Sequence, residues 1–300
     1  MEKSELRRDS RVVFLCGGRI DLAHGPLPSV RDALLRHLPN EDILGEARII
    51  RAERATEALP GSNFTNLLDL EEYIAALADG VILIVESAGS ICELGAFVKT
   101  EEIRDKLIVI ISNDHDNKPS FIKLGALRYF DECYKGDAEI HPYQWDVTAG
   151  VITIQQFVLD GIVDSILGSI KKVRPRGRLR VDSLGDRMLL TLSLCHLMRG
   201  ARIPEIKECY DELALGEYDG EIVKQLSALE ICGLVLPVKH GKKYKYFVPV
   251  TDKMPLKIAF NAKAVDQDRD TLRWITEISD LIAKHEPTRM KLFQEHHHAP

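Results

Sequence analysis

An α/β fold class with a second, smaller domain follows from three observations on this 300-residue sequence. Through the first half, short apolar runs alternate with segments whose apolar residues recur at helical spacing, the pattern of a parallel sheet flanked by helices. The first run, RVVFLC (11–16), ends in a glycine pair, Gly17-Gly18. After a basic stretch containing Pro175 and Gly177, the pattern changes to helices followed by two β-rich runs. The expected architecture is a Rossmann-like parallel sheet over residues 1–174, then a winged helix-turn-helix domain with a C-terminal helix over 175–300.

Taken in order, RVVFLC (11–16) is a buried strand, Val30–Leu38 a helix and ARII (47–50) a shorter strand. LLDLEEYIAALA (67–78) repeats apolar residues every three or four positions and predicts an amphipathic helix. GVILIV (80–85) is the strongest strand, and LIVIIS (107–112) is the next. Between them, the loop ESAGS leads into a helix expected over 91–106, with Glu93 in its first turn. A polar loop and short mixed structure follow, and Ile154–Lys172 closes this half with a helix. Beyond the basic stretch, Ser183–Met198, Ile203–Ala214 and Asp219–Cys232 are helical, and LVLPVKHGKKYKYFVPV (234–250) folds back around His240-Gly241. Arg273–His285 is a last helix before a polar tail.

Composition excludes several classes. Hydrophobic residues at 45% and charged residues at 29% describe a globular chain, and the apolar runs are too short to cross a bilayer. MEKSELRRDSR at the start has no apolar stretch suited to a secretory signal. The 6 cysteines show no CxxC spacing, so neither a disulfide framework nor a metal site is expected, and a reducing cytoplasm fits. Net charge is −6, yet KKVRPRGRLR places Lys171, Lys172, Arg174, Arg176, Arg178 and Arg180 together without an acid. Lys239, Lys242, Lys243 and Lys245 interleave with Tyr244 and Tyr246 on the expected wing, a combination suited to phosphates and stacking. The bland account is that both are solvated surface. The third helix, with Glu221, Lys224, Gln225 and Glu230, carries too little positive charge to read a duplex operator.

Two loops qualify for ligand contact, since open α/β sheets bind ligands beyond the carboxyl ends of their strands. At Gly17-Gly18 the missing side chains let the backbone approach a ligand. In ESAGS, Ser87, Gly89 and Ser90 stand where helix N-terminal amides hold anionic or hydroxyl-rich groups. Glu93 lies among small and apolar residues, a setting in which a carboxylate stabilises or attacks an oxocarbenium ion. On position alone, a first-turn acid favoured by the helix dipole explains it equally well. Glu71 and Asp79 are candidate ribose ligands, against the alternatives of a solvated helix face and a helix stop. Arg31 is open between a ligand contact and surface charge.

FLCGG (14–18), ADGVILIVESAGSICELGAF (78–97) and KPSFIKLGALRYF (118–130) resemble the nucleoside deoxyribosyltransferase-like effectors of bacterial retrons. The resemblance runs through SIKKVR (169–174) into the C-terminal half. It implies a toxin that cleaves the N-glycosidic bond of NAD, as substrate with no cofactor, and stops growth on phage infection. It further implies restraint by a reverse transcriptase and its branched RNA–DNA product, and sites that are often completed across subunits. Glu93 matches the catalytic glutamate and Glu71 a sugar-binding acid. Ser87 stands where the transferases often carry an aspartate, which disfavours deoxynucleoside base exchange. Two rival readings remain: an enzyme acting on other nucleosides or nucleotides, and a non-enzymatic winged-helix regulator that senses a nucleotide.

Overall fold

The computed structural model describes residues 5–6, 11–22, 25–37, 48–117, 119–172, 177–215, 219–241, 244–250, 254–257 and 271–296. The chain divides into two compact units: Ser10–Glu53 with Ala78–Arg174, and Met1–Asp9 with Arg54–Leu77 and Pro175–Pro300. The stretch 54–77, expected in the N-terminal domain, therefore belongs with the C-terminal residues.

The first unit is built on strands β1 (Val12–Cys16), β2 (Arg48–Arg51), β3 (Gly80–Val85), β4 (Leu107–Ser112) and β5 (Ile140–Tyr143). Every pairing is parallel, in the order β2-β1-β3-β4-β5. Its helices include α1 (Val30–His37), and α2 (Leu67–Leu77) belongs to the other unit. Later come α3 (Ala88–Phe97) and α4 (Gln156–Lys172). Because side chains alternate across a sheet, one parity of residues feeds each face. Val13, Leu15, Ile82, Ile84, Ile108 and Ile110 pack with Val30 and Leu34 of α1 and with Val158, Ile162, Ile166 and Ile170 of α4. Phe14, Cys16, Val81, Leu83, Val85, Val109 and Ile111, on the other face, are buried as well. Burial on both faces is why these runs are continuously apolar rather than alternating.

The helix expected over 91–106 is two helices: α3, then a single turn at Glu101–Arg104. The start moves forward because Ser87 caps it. Ser87 Oγ accepts from the Ser90 amide at 3.1 Å, and Ser90 Oγ accepts from the Ser87 amide at 2.9 Å. Glu93 consequently sits in the second turn, not the first.

In the other unit, α5 (Leu184–Leu197), α6 (Ile203–Glu212) and α7 (Asp219–Ile231) precede β6 (Val235–His240) and β7 (Tyr244–Pro249), which pair antiparallel. Then come α8 (Thr271–His285) and α9 (Pro287–His296). The expected polar tail thus contains α9. Phe293 of α9 instead packs with Val238, Tyr246 and Val248. No helix of the described residues is long and apolar enough to cross a membrane.

A buried polar network joins the three helices. Gln225 of α7 is 0% exposed. Its Oε1 accepts from the Thr191 hydroxyl at 2.5 Å and from Tyr210 at 3.2 Å, and its Nε2 donates to Glu221 at 2.9 Å. Arg187 closes the network on the same Glu221 oxygen at 2.7 Å. Gln225→Ala would remove the acceptor that Thr191 and Tyr210 share, leaving these hydroxyls each other and Arg187 O, and would take a partner from Glu221; losses of this kind cost about 1–3 kcal/mol. Urea unfolding should show a loss of about 3 kcal/mol. A loss of a few tenths would contradict the network.

Candidate active site

In a 2-1-3-4-5 parallel sheet the connections leave β1 and β3 in opposite directions, opening a crevice at their carboxyl ends. The loop after β1 and the turn after β3 meet there, and they are stitched together by a residue that sequence reasoning passed over. Glu86 follows Val85, the last residue of β3. Its Oε1 accepts from the Gly18 amide at 2.9 Å and the Arg31 amide at 3.0 Å, and its Oε2 accepts from the Val30 amide at 2.5 Å. A Cβ on Gly18 would stand 2.7 Å from Ser29 Cβ and 3.0 Å from Glu86 Cδ, so Gly18 is bare to admit its own neighbours. Burial pushes the Glu86 carboxyl up, opposed by the three amides and by Arg31.

Arg31 is not surface charge. It is 2% exposed. Its Nε donates to Gly18 O at 2.8 Å, its Nη1 donates to Leu15 O at 3.2 Å, and its Nη2 pairs with Glu53. Glu93 lies within electrostatic reach of this pair. Burial raises its carboxyl to about 7, with Arg31 pulling it down and Glu53 pushing it up. Among the described residues, Glu93 Oε2 is shielded from solvent and has no hydrogen-bond partner. Asp32 Oδ2 and Glu53 Oε2 are shielded in the same way, but their carboxylates are paired with Arg36 and Arg31, whereas the described residues show no ion pair for Glu93. Glu93 Oε2 is available to a positively charged or electron-poor atom.

The remaining candidates are dispersed. Ser87 and the exposed Gly89 lie at the start of α3, Gly89 one turn before Glu93 and Ser87 nearly two. Ser90 is turned inward: at 0% exposure, its hydroxyl accepts from the Glu86 and Ser87 amides and donates to Ser87 O. Gly17 and Gly18 flank Glu86, and the Gly18 amide is already engaged. Asp79 is at the amino end of β3, where its Oδ2 accepts from the Val12 amide at 2.8 Å. That places it a strand's length away from the carboxyl-end crevice. Glu71 is buried on α2, in the other unit. Glu86 and the Arg31–Glu53 pair carried no motif. The available signal for Glu86 was an acid directly ending the strongest strand.

Among the basic candidates, Arg174, Arg176, Lys242 and Lys243 lie outside the described residues. Lys171 and Arg178 are exposed. Lys172 donates to Glu139 at 2.6 Å, and the Arg180 amide and side chain both approach Asp186. On the hairpin, Lys239, His240, Tyr244 and Lys245 are exposed, whereas Tyr246 is core at 5%. On α7, Gln225 through Leu229 are all buried. Lys224 there faces Asp69 at 3.7 Å, and Ser227 Oγ accepts from the Asn63 amide at 3.4 Å. The stretch Gln225–Leu229 is thus enclosed, whereas Glu221, Val223, Lys224 and Glu230 on the same helix stay half-exposed.

Residues 28–237 match the family model described as STM3845 retron effector protein. The chain is 30% identical over 168 residues to an Escherichia coli protein named "Retron Ec73 putative ribosyltransferase/DNA-binding protein", covering 54% of this chain and 51% of that one. It is 36% identical over 117 residues to the Escherichia coli "Retron Ec86 putative ribosyltransferase/DNA-binding protein", covering 39% of this chain and 36% of that one. The chain thus spans about half the length of the first relative and about a third of the second.

A raised carboxyl costs stability when it ionises. The folded state holds the Glu93 proton up to about pH 7, whereas an unfolded glutamate releases it near 4.5. Stability is therefore lost as pH rises between those values. Glu93→Gln should be more stable than wild type at pH 8 by about 1–2 kcal/mol, discounted because the side chain keeps some water contact. The gap should close toward pH 4.5 in urea unfolding. An equal gap at both pH values would contradict the shielded site.

Proposed function

The chain belongs to the STM3845 retron effector protein family, and on that footing we propose that it is a toxin that hydrolyses the N-glycosidic bond of NAD. The observation that carries this reading is the shielded, unpartnered oxygen of Glu93 at the sheet's ligand end. In the proposed reaction the C1′–N bond breaks and its electron pair passes to the pyridinium nitrogen. That neutralises the ring, so nicotinamide leaves without a proton donor. Glu93, ionised, faces the oxocarbenium carbon, and water then adds with loss of one proton to give ADP-ribose. One carboxylate suffices where O-glycosidases use two. Gly17, Ser87 and Gly89 border the sugar and phosphates.

Incubation of the isolated chain with NAD should release nicotinamide at a rate that rises with pH through about 7 and then levels, following Glu93 ionisation. Glu93→Gln should slow release on the order of 10²–10³-fold. Absence of nicotinamide from wild type and variant alike, with the chain free of any restraining partner, would sink the reading. The relatives' names speak of ribosyl transfer. If the acceptor is another nucleoside instead of water, mass spectrometry of a mixed nucleotide pool will show a new N-glycoside in place of ADP-ribose.

In this reading the C-terminal unit is a winged-helix module that docks on the branched RNA–DNA made by a partner reverse transcriptase, which restrains the toxin in the cytoplasm. The hairpin, with Lys239, Tyr244 and Lys245 exposed, offers cations beside an aromatic ring and is the contact in this reading. Lys239→Ala with Lys245→Ala should weaken binding to a single-stranded oligonucleotide and flatten its log–log salt slope by roughly 0.7 per lost contact. An unchanged slope would remove the hairpin from the interface.

A further inference from the structure

We propose that Glu86 is a positioning residue: by collecting the amides of Gly18, Val30 and Arg31, it ties the loop after β1 and the first turn of α1 to the β3–α3 turn, and so holds Arg31 where it acts on Glu93. Val30 and Arg31 open α1, and first-turn amides have no partner within their own helix. Glu86 supplies that partner from another strand, as an N-cap delivered across the sheet. Its backbone is anchored in the opposite direction, since the Glu86 amide donates to Ser90 Oγ at 3.0 Å in the first turn of α3. One residue thereby links the helix bearing Arg31 to the helix bearing Glu93.

The geometry is specific to a two-oxygen acceptor. Three N–H donors converge on the carboxylate, and Gly18 has no side chain in its way. Glutamine would present an NH₂ to at least one of those donors. Aspartate would fall one methylene short. Arg31 is then fixed at both ends, its amide on Glu86 and its guanidinium on Leu15 O, Gly18 O and Glu53. The charged groups acting on Glu93 are Arg31 from α1 and Glu53 from the helix after β2. Displacing Arg31 leaves Glu53 unopposed, so the sign is determined: Glu93 must hold its proton to higher pH.

The catalytic consequence rests on the reading of Glu93 as the reactive carboxylate, but the placement of Arg31 does not. The test is therefore made first on the full chain without substrate. The Glu93 carboxyl is titrated by ¹³C NMR in wild type, Glu86→Gln, Arg31→Gln and the double variant. Glu86→Gln should raise the midpoint by about half a pH unit or more, Arg31→Gln should act in the same direction, and the double variant should add nothing to Arg31→Gln. An unmoved midpoint in folded Glu86→Gln, or additive shifts in the double variant, would overturn the proposal. Glu86→Asp undergoes the same titration if the glutamine variant does not fold. In wild type, the amides of Gly18, Val30 and Arg31 should exchange with solvent as slowly as those of β3, and fast exchange would overturn the proposal without any variant. Where nicotinamide release is measurable, its pH limb should move with the NMR midpoint, with the rate at pH 7 falling about twofold for a half-unit shift. An inactive wild type would sink the NAD reading and leave the titration result standing.

Discussion

A carboxylate withdrawn from water has to find hydrogen-bond donors, and much of the first unit is arranged around how Glu86 meets that need. It stands where the central strand ends, between two connections that diverge. The donors nearest to hand are the open amides of a helix start and of a tight loop. Accepting them sets where α1 begins, forbids a side chain at Gly18 and draws in Ser29, which itself holds Arg19 O and the Asp32 amide. Asp32 in turn takes the amides of Asp21 and Leu22. Among its described residues, the loop after β1 is thus held by a relay of short polar side chains near its ends and by Leu27, which packs on the core and bridges to Ile152.

Seven residues on, Glu93 meets the opposite fate. Both carboxyls are raised by burial, but Glu86 is surrounded by donors whereas Glu93 has an oxygen with none. Two acids this close in sequence thus have opposite surroundings, one held by donors and one with an oxygen open among the described residues. Arg31 touches both: its amide serves the first, and its charge tempers the second.

The parallel strands were legible because burial on both faces demands unbroken runs of Val, Ile and Leu, and β3 and β4 match their predicted bounds residue for residue. The crevice was legible through Gly17-Gly18 and the acid at Glu93. The position of Glu93 on its helix was not, because the Ser87–Ser90 capping box uses hydroxyls that resemble ligand contacts in the sequence. Asp79 was misplaced for a similar reason: an acid before a strand signals nothing about which end of the sheet it braces. The basic residues show the limit of charge counting, since Lys172 meets Glu139 from 33 residues away and Arg180 approaches Asp186 in the helix that follows it. Tyr246 and Gln225, polar by type, are interior, and only the packing of α9 and the Thr191–Tyr210 network reveals it.

The excursion of residues 54–77 into the C-terminal unit has a consequence for how this protein is inherited. The chain passes from one unit to the other near residues 9, 53, 77 and 174, so neither unit is a continuous stretch of gene. A recombination event at the obvious linker would carry α5 to α9 away without α2 and the loop that donates to Ser227. Shuffling one unit onto a new partner unit is thereby penalised, and the two are expected to diversify together rather than be traded.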